Sequence, residues 1–225
     1  MRWNRVAAAA GSGYVLLAFV EFFGPGFPST SDTAHTLDGH FVAHRSWSLV
    51  AVAVQGVSNS IWLVFLCGLA LLLWRVGSPA AASVALVAGA LNVAISLTGL
   101  ASIAAIAFSI AGSGSPDLTR GFFVLAAMTL VLSNFLLALM AAAVAVAALP
   151  RWFRWSTGAA AIVFLLGGVA LARHGTFSPD GAVQFATYAL ELLWTLAASV
   201  ILAKVRPQPD ARRSTQTLTP RLADA

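Results

Sequence analysis

Long apolar runs alternate along this chain with short stretches rich in Gly, Pro and polar residues. The apolar segments cover about residues 6–23, 47–74, 80–111, 122–149, 156–172 and 182–203. A helix needs ~20 apolar residues to cross a bilayer, and the segments are close to or beyond that length. The pattern predicts an all-α polytopic bundle of six transmembrane helices forming one domain over residues 1–205, with a disordered basic tail over 206–225. The one long loop expected between helices is GPGFPSTSDTAHTLDGHFVAHR, residues 24–45, and Gly and Pro at Gly77, Pro79, Gly112 and Pro116 mark further turns. Segment 80–111 exceeds a straight crossing, so it must tilt, bend at Gly89 or Gly99, or protrude. The first apolar run has no clear small-residue cleavage site before Gly24-Pro25 and is read as a retained helix, not a removed signal.

Composition supports the membrane reading: 59% of residues are hydrophobic, 9% are charged and the mean hydropathy is +0.86. A net charge of +5 is compatible with a nucleic-acid partner, but its distribution follows topology instead. On the six-helix arrangement Arg2, Arg5, Arg75, Arg151, Arg154, Lys204, Arg206, Arg212, Arg213 and Arg221 fall on one side, and only Arg45, Arg120 and Arg173 on the other. The excess of positive charge predicts a cell-membrane protein with both termini cytoplasmic. Membrane lipid is then the expected surrounding partner, and no nucleic-acid partner is expected.

Against this apolar background two acids stand out. Glu191 lies about nine residues into the last helix, ~14 Å from its outer end, while Glu21 lies near the outer end of the first helix, ~9 Å away in depth. A charged residue at a helix centre costs roughly 2.5–3.5 kcal/mol on insertion scales, so both are candidate catalytic residues: a proton donor, a base, or a carboxylate facing a cation. Gln184, Tyr188, Glu191 and Thr195 share a helix face, with Trp194 beside them, and the aromatic faces suit a positive centre. Gln55, Asn59 and Trp62 share another face, and Asn92 and Ser96 a third. Together with Asn134 these predict a pocket lined by Tyr188, Trp194, Gln184, Thr195, Gln55, Asn59, Asn92 and Asn134. The bland alternative is that Gln55, Asn59, Asn92 or Asn134 simply caps Glu191 between packed helices.

Other candidates are weaker. His35, His40 and His44, with Asp32 and Asp38, have side chains suited to a divalent metal, but the spacing matches no metal signature, and a solvated loop is the better reading. Arg173 and His174 are placed to approach that loop. The lone Cys67 is read as a packed interior thiol. No phosphate-binding Gly loop, zinc signature or nucleophile elbow is present, so neither cofactor nor metal is expected.

The motifs FVAHR (Phe41 to Arg45) and LPRWFRW (Leu149 to Trp155), with LLLWR closing the second apolar segment, resemble an actinobacterial family of small six-helix integral membrane proteins of unknown function. The resemblance implies a six-helix topology and no activity; the His-rich loop departs from the pattern.

Three functions follow from these features. The first is a membrane-embedded enzyme acting on a lipophilic small molecule, in concrete form an isoprenoid cyclase or isomerase that uses Glu191 as acid. Terpene cyclases of the membrane are an analogy here, without a matched motif. The second is a small proton-coupled transporter or efflux component, expected to be an oligomer. The third is a non-catalytic partner or sensor subunit acting through the basic tail.

Overall fold

The computed structural model describes residues 2–20, 23–26, 28–172 and 174–204, and these contain helices and no strand. The helices are α1 (Arg2–Val20), α2 (Ala34–Ala43), α3 (Arg45–Arg75), α4 (Pro79–Ala105), α5 (Pro116–Ala145), α6 (Arg151–Gly168) and α7 (Ala182–Lys204). The tail over 206–225 lies outside the described residues.

Proline and glycine set the helix ends. Pro79 and Pro116 occupy the first turns of α4 and α5, where a missing N–H is no loss. That is why α5 starts at Pro116, within the stretch 112–121 that was expected to be loop. Pro150 precedes α6, so the aromatic run Trp152-Phe153-Arg154-Trp155 belongs to that helix rather than to the turn before it. Gly77, Gly112 and Gly114 take positive φ values of 81°, 78° and 87° in the connections, a region that favours glycine. The long third segment continues from α4 into a π-helical turn over Ile106–Ile110. Its irregularity therefore falls there, beyond the two glycines at which a bend was expected.

Four helices are long and apolar enough to cross a membrane: α3, α4 with its π turn, α5 and α7. This marks the chain as a membrane protein. Shorter α1 and α6 carry basic flanks, Arg2 and Arg5 in one and Arg151 and Arg154 in the other.

Neighbouring helices pack in a closed ring: α1 on α3, α3 on α4, α4 on α5, α5 on α6, α6 on α7 and α7 on α1. Small residues let α1 in close. A Cβ on Gly68 would collide with Ala7, and one on Gly11 would lie 2.7 Å from the Phe65 ring. At 31 residues α3 rises ~46 Å, more than the ~30 Å hydrocarbon core. The short α2, within the expected long loop, packs chiefly on α5. Thr33 caps its start by accepting from the Thr36 N–H. Asp38 accepts from the Gly112 N–H at 3.2 Å and the Thr119 hydroxyl at 2.7 Å, while Arg45 donates to the Ala111 carbonyl at 2.8 Å.

Two hydrophobic cores result. The large one gathers residues such as Phe65, Leu69, Leu73, Phe153, Phe164 and Leu202 at the end shared by the start of α1 and the end of α7. A smaller one beneath α2 contains Leu37, Phe41, Ile103, Ile106, Ala111 and Phe123. The wall of a cavity of about 450 Å³ draws on both.

Candidate functional site

The cavity is built from faces of α1, α3, α4, α5 and α7, closed by the large core and rimmed by the segments flanking α2 and preceding α7. Its volume falls within the range usual for small-molecule sites. Helical phase decides which side chains reach it. On α7, Gln184, Tyr188 and Glu191 line the wall, with Glu191 deepest from the α7 start and only 9% exposed. On α3 the face predicted from i, i+4, i+7 spacing is present, with Gln55, Asn59 and Trp62 all in the wall. α4 contributes Asn92 and Ser96, and α5 contributes Asn134.

Glu191 is held from an unexpected direction. Tyr14 on α1 donates its hydroxyl proton to Glu191 Oε1 at 2.7 Å. None of the four amides proposed as its cap does so. Instead Asn134 donates from Nδ2 to Gln184 Oε1 at 2.9 Å, joining α5 to α7. Gly167 of α6 makes that junction possible, since a Cβ there would lie 2.6 Å from Thr187 Oγ1 and 3.0 Å from Asn134 Nδ2. Tyr14 also packs on Trp62, ring centroids 5.9 Å apart. A signal for Tyr14 existed in the sequence. It is one of only two tyrosines, it lies within an apolar helix, and a buried phenol usually seeks a partner for its hydroxyl.

Two of the predicted pocket residues lie elsewhere. Trp194 is buried on the α6 side, its indole Nε1 donating to Thr157 Oγ1 at 3.0 Å, its ring stacked on Phe153 and set edge-on to Phe65. Thr195 is wholly buried below the cavity, 3.5 Å from the Trp62 indole nitrogen. A helix turns ~100° per residue, so a residue three positions from Glu191 sits at the edge of its face, and here neighbouring α6 claims it. The aromatic wall near the acid is therefore Tyr14, Trp62 and Tyr188. Glu21 and Arg173 lie outside the described residues.

Asn92 carries the clearest polar demand in the wall. It is 5% exposed, and its Oδ1 has no hydrogen-bond partner among the described residues. Such buried atoms are uncommon because an unmade hydrogen bond is costly.

At the rim the two loop segments are joined by Asp180. Its carboxylate accepts from the Ser29 hydroxyl, from the Thr30 N–H at 3.2 Å and from the Thr30 hydroxyl at 3.3 Å. Burial pushes this carboxyl up, but hydrogen bonds from Ser29, Ser178 and Thr30 outweigh it and hold it below the ordinary aspartate value of 3.8. The His40 and His44 rings stand 4.8 Å apart. Burial lowers the His40 value from 6.5, the neighbouring His44 lowers it further, and Asp32 and the Gly26 backbone oppose the shift. Among the described residues no three His, Cys, Asp or Glu side chains are gathered to hold a metal. Cys67 is exposed on the surface of α3, not packed inside as expected, because its neighbours Leu66 and Gly68 take the inward positions.

No family model, curated protein or solved structure matches the chain. The resemblance noted for FVAHR and LPRWFRW therefore rests on those short motifs alone.

Proposed function

We propose that the protein is a cell-membrane enzyme that takes a lipophilic small molecule into the cavity and transforms it with Glu191 as acid. The observation that carries the reading is the Tyr14–Glu191 hydrogen bond in the wall of a ligand-sized cavity. The reaction class is acid-initiated isomerisation or cyclisation of an isoprenoid. A proton passes from the Glu191 carboxyl to an alkene carbon, whose π pair forms the new C–H bond and leaves a tertiary cation. Tyr14 donates to the carboxylate left behind, and the Trp62 and Tyr188 rings face the cation. Loss of a proton from a neighbouring carbon to that carboxylate restores the acid. A cavity largely walled by apolar side chains keeps water from intercepting the cation.

In this reading six helices cross the bilayer, with α1 and α6 completing the ring, and both termini are cytoplasmic. Its support is the basic set Arg5, Arg75, Arg151, Arg154 and Lys204, which the antiparallel chain brings to one end, with the acidic and His-bearing segments at the other. The cavity then opens on the outer side.

The test is incubation of the protein with polyprenyl lipids in deuterated water. Deuterium should appear at carbon in the product, and Glu191→Gln should abolish incorporation while leaving a folded protein. Retained turnover in that variant would remove the assigned role.

A proton-coupled transporter is the second reading, favoured by the same acid in the wall of the cavity. It requires flux that collapses with the proton gradient and no change in the covalent structure of the cargo.

A further inference from the structure

Inside a polar rim at Thr30 and Asp180, the cavity wall changes character with depth. Val52, Leu100, Ile103 and Phe123 form it toward α2, whereas Asn59, Asn92, Tyr188 and Glu191 belong to the deeper turns of their helices. A ligand that satisfies both parts has a polar group at its inner end and hydrocarbon toward the rim.

The charge of that polar group is restricted. Among the described residues no Lys, Arg or His lines the cavity, and the ionisable carboxyls in its wall, Glu191 and Asp180, are both acidic. A carboxylate or phosphate buried here would meet no cation among the described residues and would lie near another acid, an arrangement with a large desolvation cost. The hydrogen-bonding sense is restricted too. Asn92 Oδ1 is a buried acceptor without a donor, so the ligand has to donate. A hydroxyl does so and can in turn accept from an amide N–H in the same wall.

Resting on the reading of the cavity as a lipophile site, we propose that its ligand is an uncharged lipid alcohol, bound hydroxyl-first with its O–H donated to Asn92 Oδ1 and its hydrocarbon chain directed toward α2. Fatty acids, prenyl diphosphates and phospholipids are selected against because no cation among the described residues lines the cavity. Pure hydrocarbons are accepted less well because they leave Asn92 unsatisfied.

The experiment uses the full-length protein in phosphatidylcholine nanodiscs, with radiolabelled farnesol binding followed by scintillation proximity and competed by farnesene, farnesoic acid and farnesylamine. Farnesol is expected to bind, farnesene to compete roughly tenfold less well, as one lost hydrogen bond implies, and farnesoic acid not to compete. Asn92→Leu should bring farnesol down to the level of farnesene while leaving farnesene binding unchanged, which also reports that the variant is folded. Should Asn92→Leu fail to fold, the order of ligands on the unmodified protein still decides the matter. Equal binding of farnesene or farnesoic acid, or an unchanged ratio in Asn92→Leu, overturns the assignment of a donor alcohol but leaves the lipophile site standing. Tighter binding of farnesylamine also overturns it and assigns a cation instead. No binding by any of the four removes both proposals.

Discussion

Tyr14 and Glu191, 177 positions apart in the chain, meet through a 2.7 Å hydrogen bond that ties the first helix to the last. The bond provides the buried acid with a partner without neutralising it by a cation. It also fixes α1 against the cavity floor, where Tyr14 rests on Trp62. Removing either member changes both packing and chemistry, so the pair has to be tested as a pair.

Tyr14→Phe keeps the ring and removes only the donor. The expected loss of stability is about 1–3 kcal/mol, the cost of leaving a buried polar group unmade. Glu191→Gln retains an acceptor for Tyr14 and should cost less. Denaturation of both variants in mixed detergent micelles measures this; an unchanged transition in Tyr14→Phe would show that the bond contributes nothing to the fold.

Close helix approach at Gly68 gives a steric prediction. Gly68→Ala places a methyl against Ala7 where neither backbone can yield, and should destabilise by about 1–3 kcal/mol. Gly56→Ala, on the same helix with open space around it, should be neutral or stabilising. Thermal unfolding of the two variants side by side separates a packing effect from a general effect of Gly→Ala in α3.

The exposed face of α3 can be read with the natural cysteine. A nitroxide attached to Cys67 should show high accessibility to oxygen, which concentrates in hydrocarbon, and low accessibility to a water-soluble nickel chelate. The reverse would place this stretch of α3 in an aqueous environment and undo the assignment of α3 as a crossing helix.

Asp180 makes the rim sensitive to acid. Its carboxyl is held below 3.8 in the folded protein, so its contribution is fully present above that value and is lost as pH falls through the lower folded value. Spin labels at Ser31 and Gly175 should therefore stay close at neutral pH and separate only in strong acid. Asp180→Ala should show the separated state at every pH, and an unaltered distance in that variant would show that Asp180 does not join the segments.

His40 acts in the same direction, but at higher pH. With its folded value below 6.5, the unfolded chain takes up the proton first, so this residue lowers stability as pH falls below 6.5 and has no effect above it. Nuclear magnetic resonance of labelled histidine should find His40 titrating below 6.5. His44→Ala should shift it upward by removing a like charge. An unchanged titration would mean that the 4.8 Å ring pair does not persist in solution.

Several elements of this protein were legible in the residues because their physics is local. The apolar segments announce α3, α4, α5 and α7, and the i, i+4, i+7 spacing of Gln55, Asn59 and Trp62 correctly gives one shared face. The helix start at Pro79 follows from ring chemistry that depends on no neighbour, whereas the same chemistry at Pro116 was hidden in a stretch read as loop. The short α2 was harder to foresee, because a ten-residue helix is marginal alone and depends on burying Leu37 and Phe41 against α5 and the π turn.

Pairing was decided only by the tertiary structure. The sequence by itself determined that this is an apolar helical chain with a costly acid at Glu191 and amides on matching faces, because hydrophobicity and helical period are properties of the chain alone. It did not determine that Tyr14 would hold Glu191, that Asn134 would take Gln184, or that Trp194 would turn toward Thr157. Those outcomes depend on which helices become neighbours. Contacts such as Gly68 against Ala7 and Gly167 against Thr187 settle that through shape, and shape complementarity between distant segments leaves no period in the sequence.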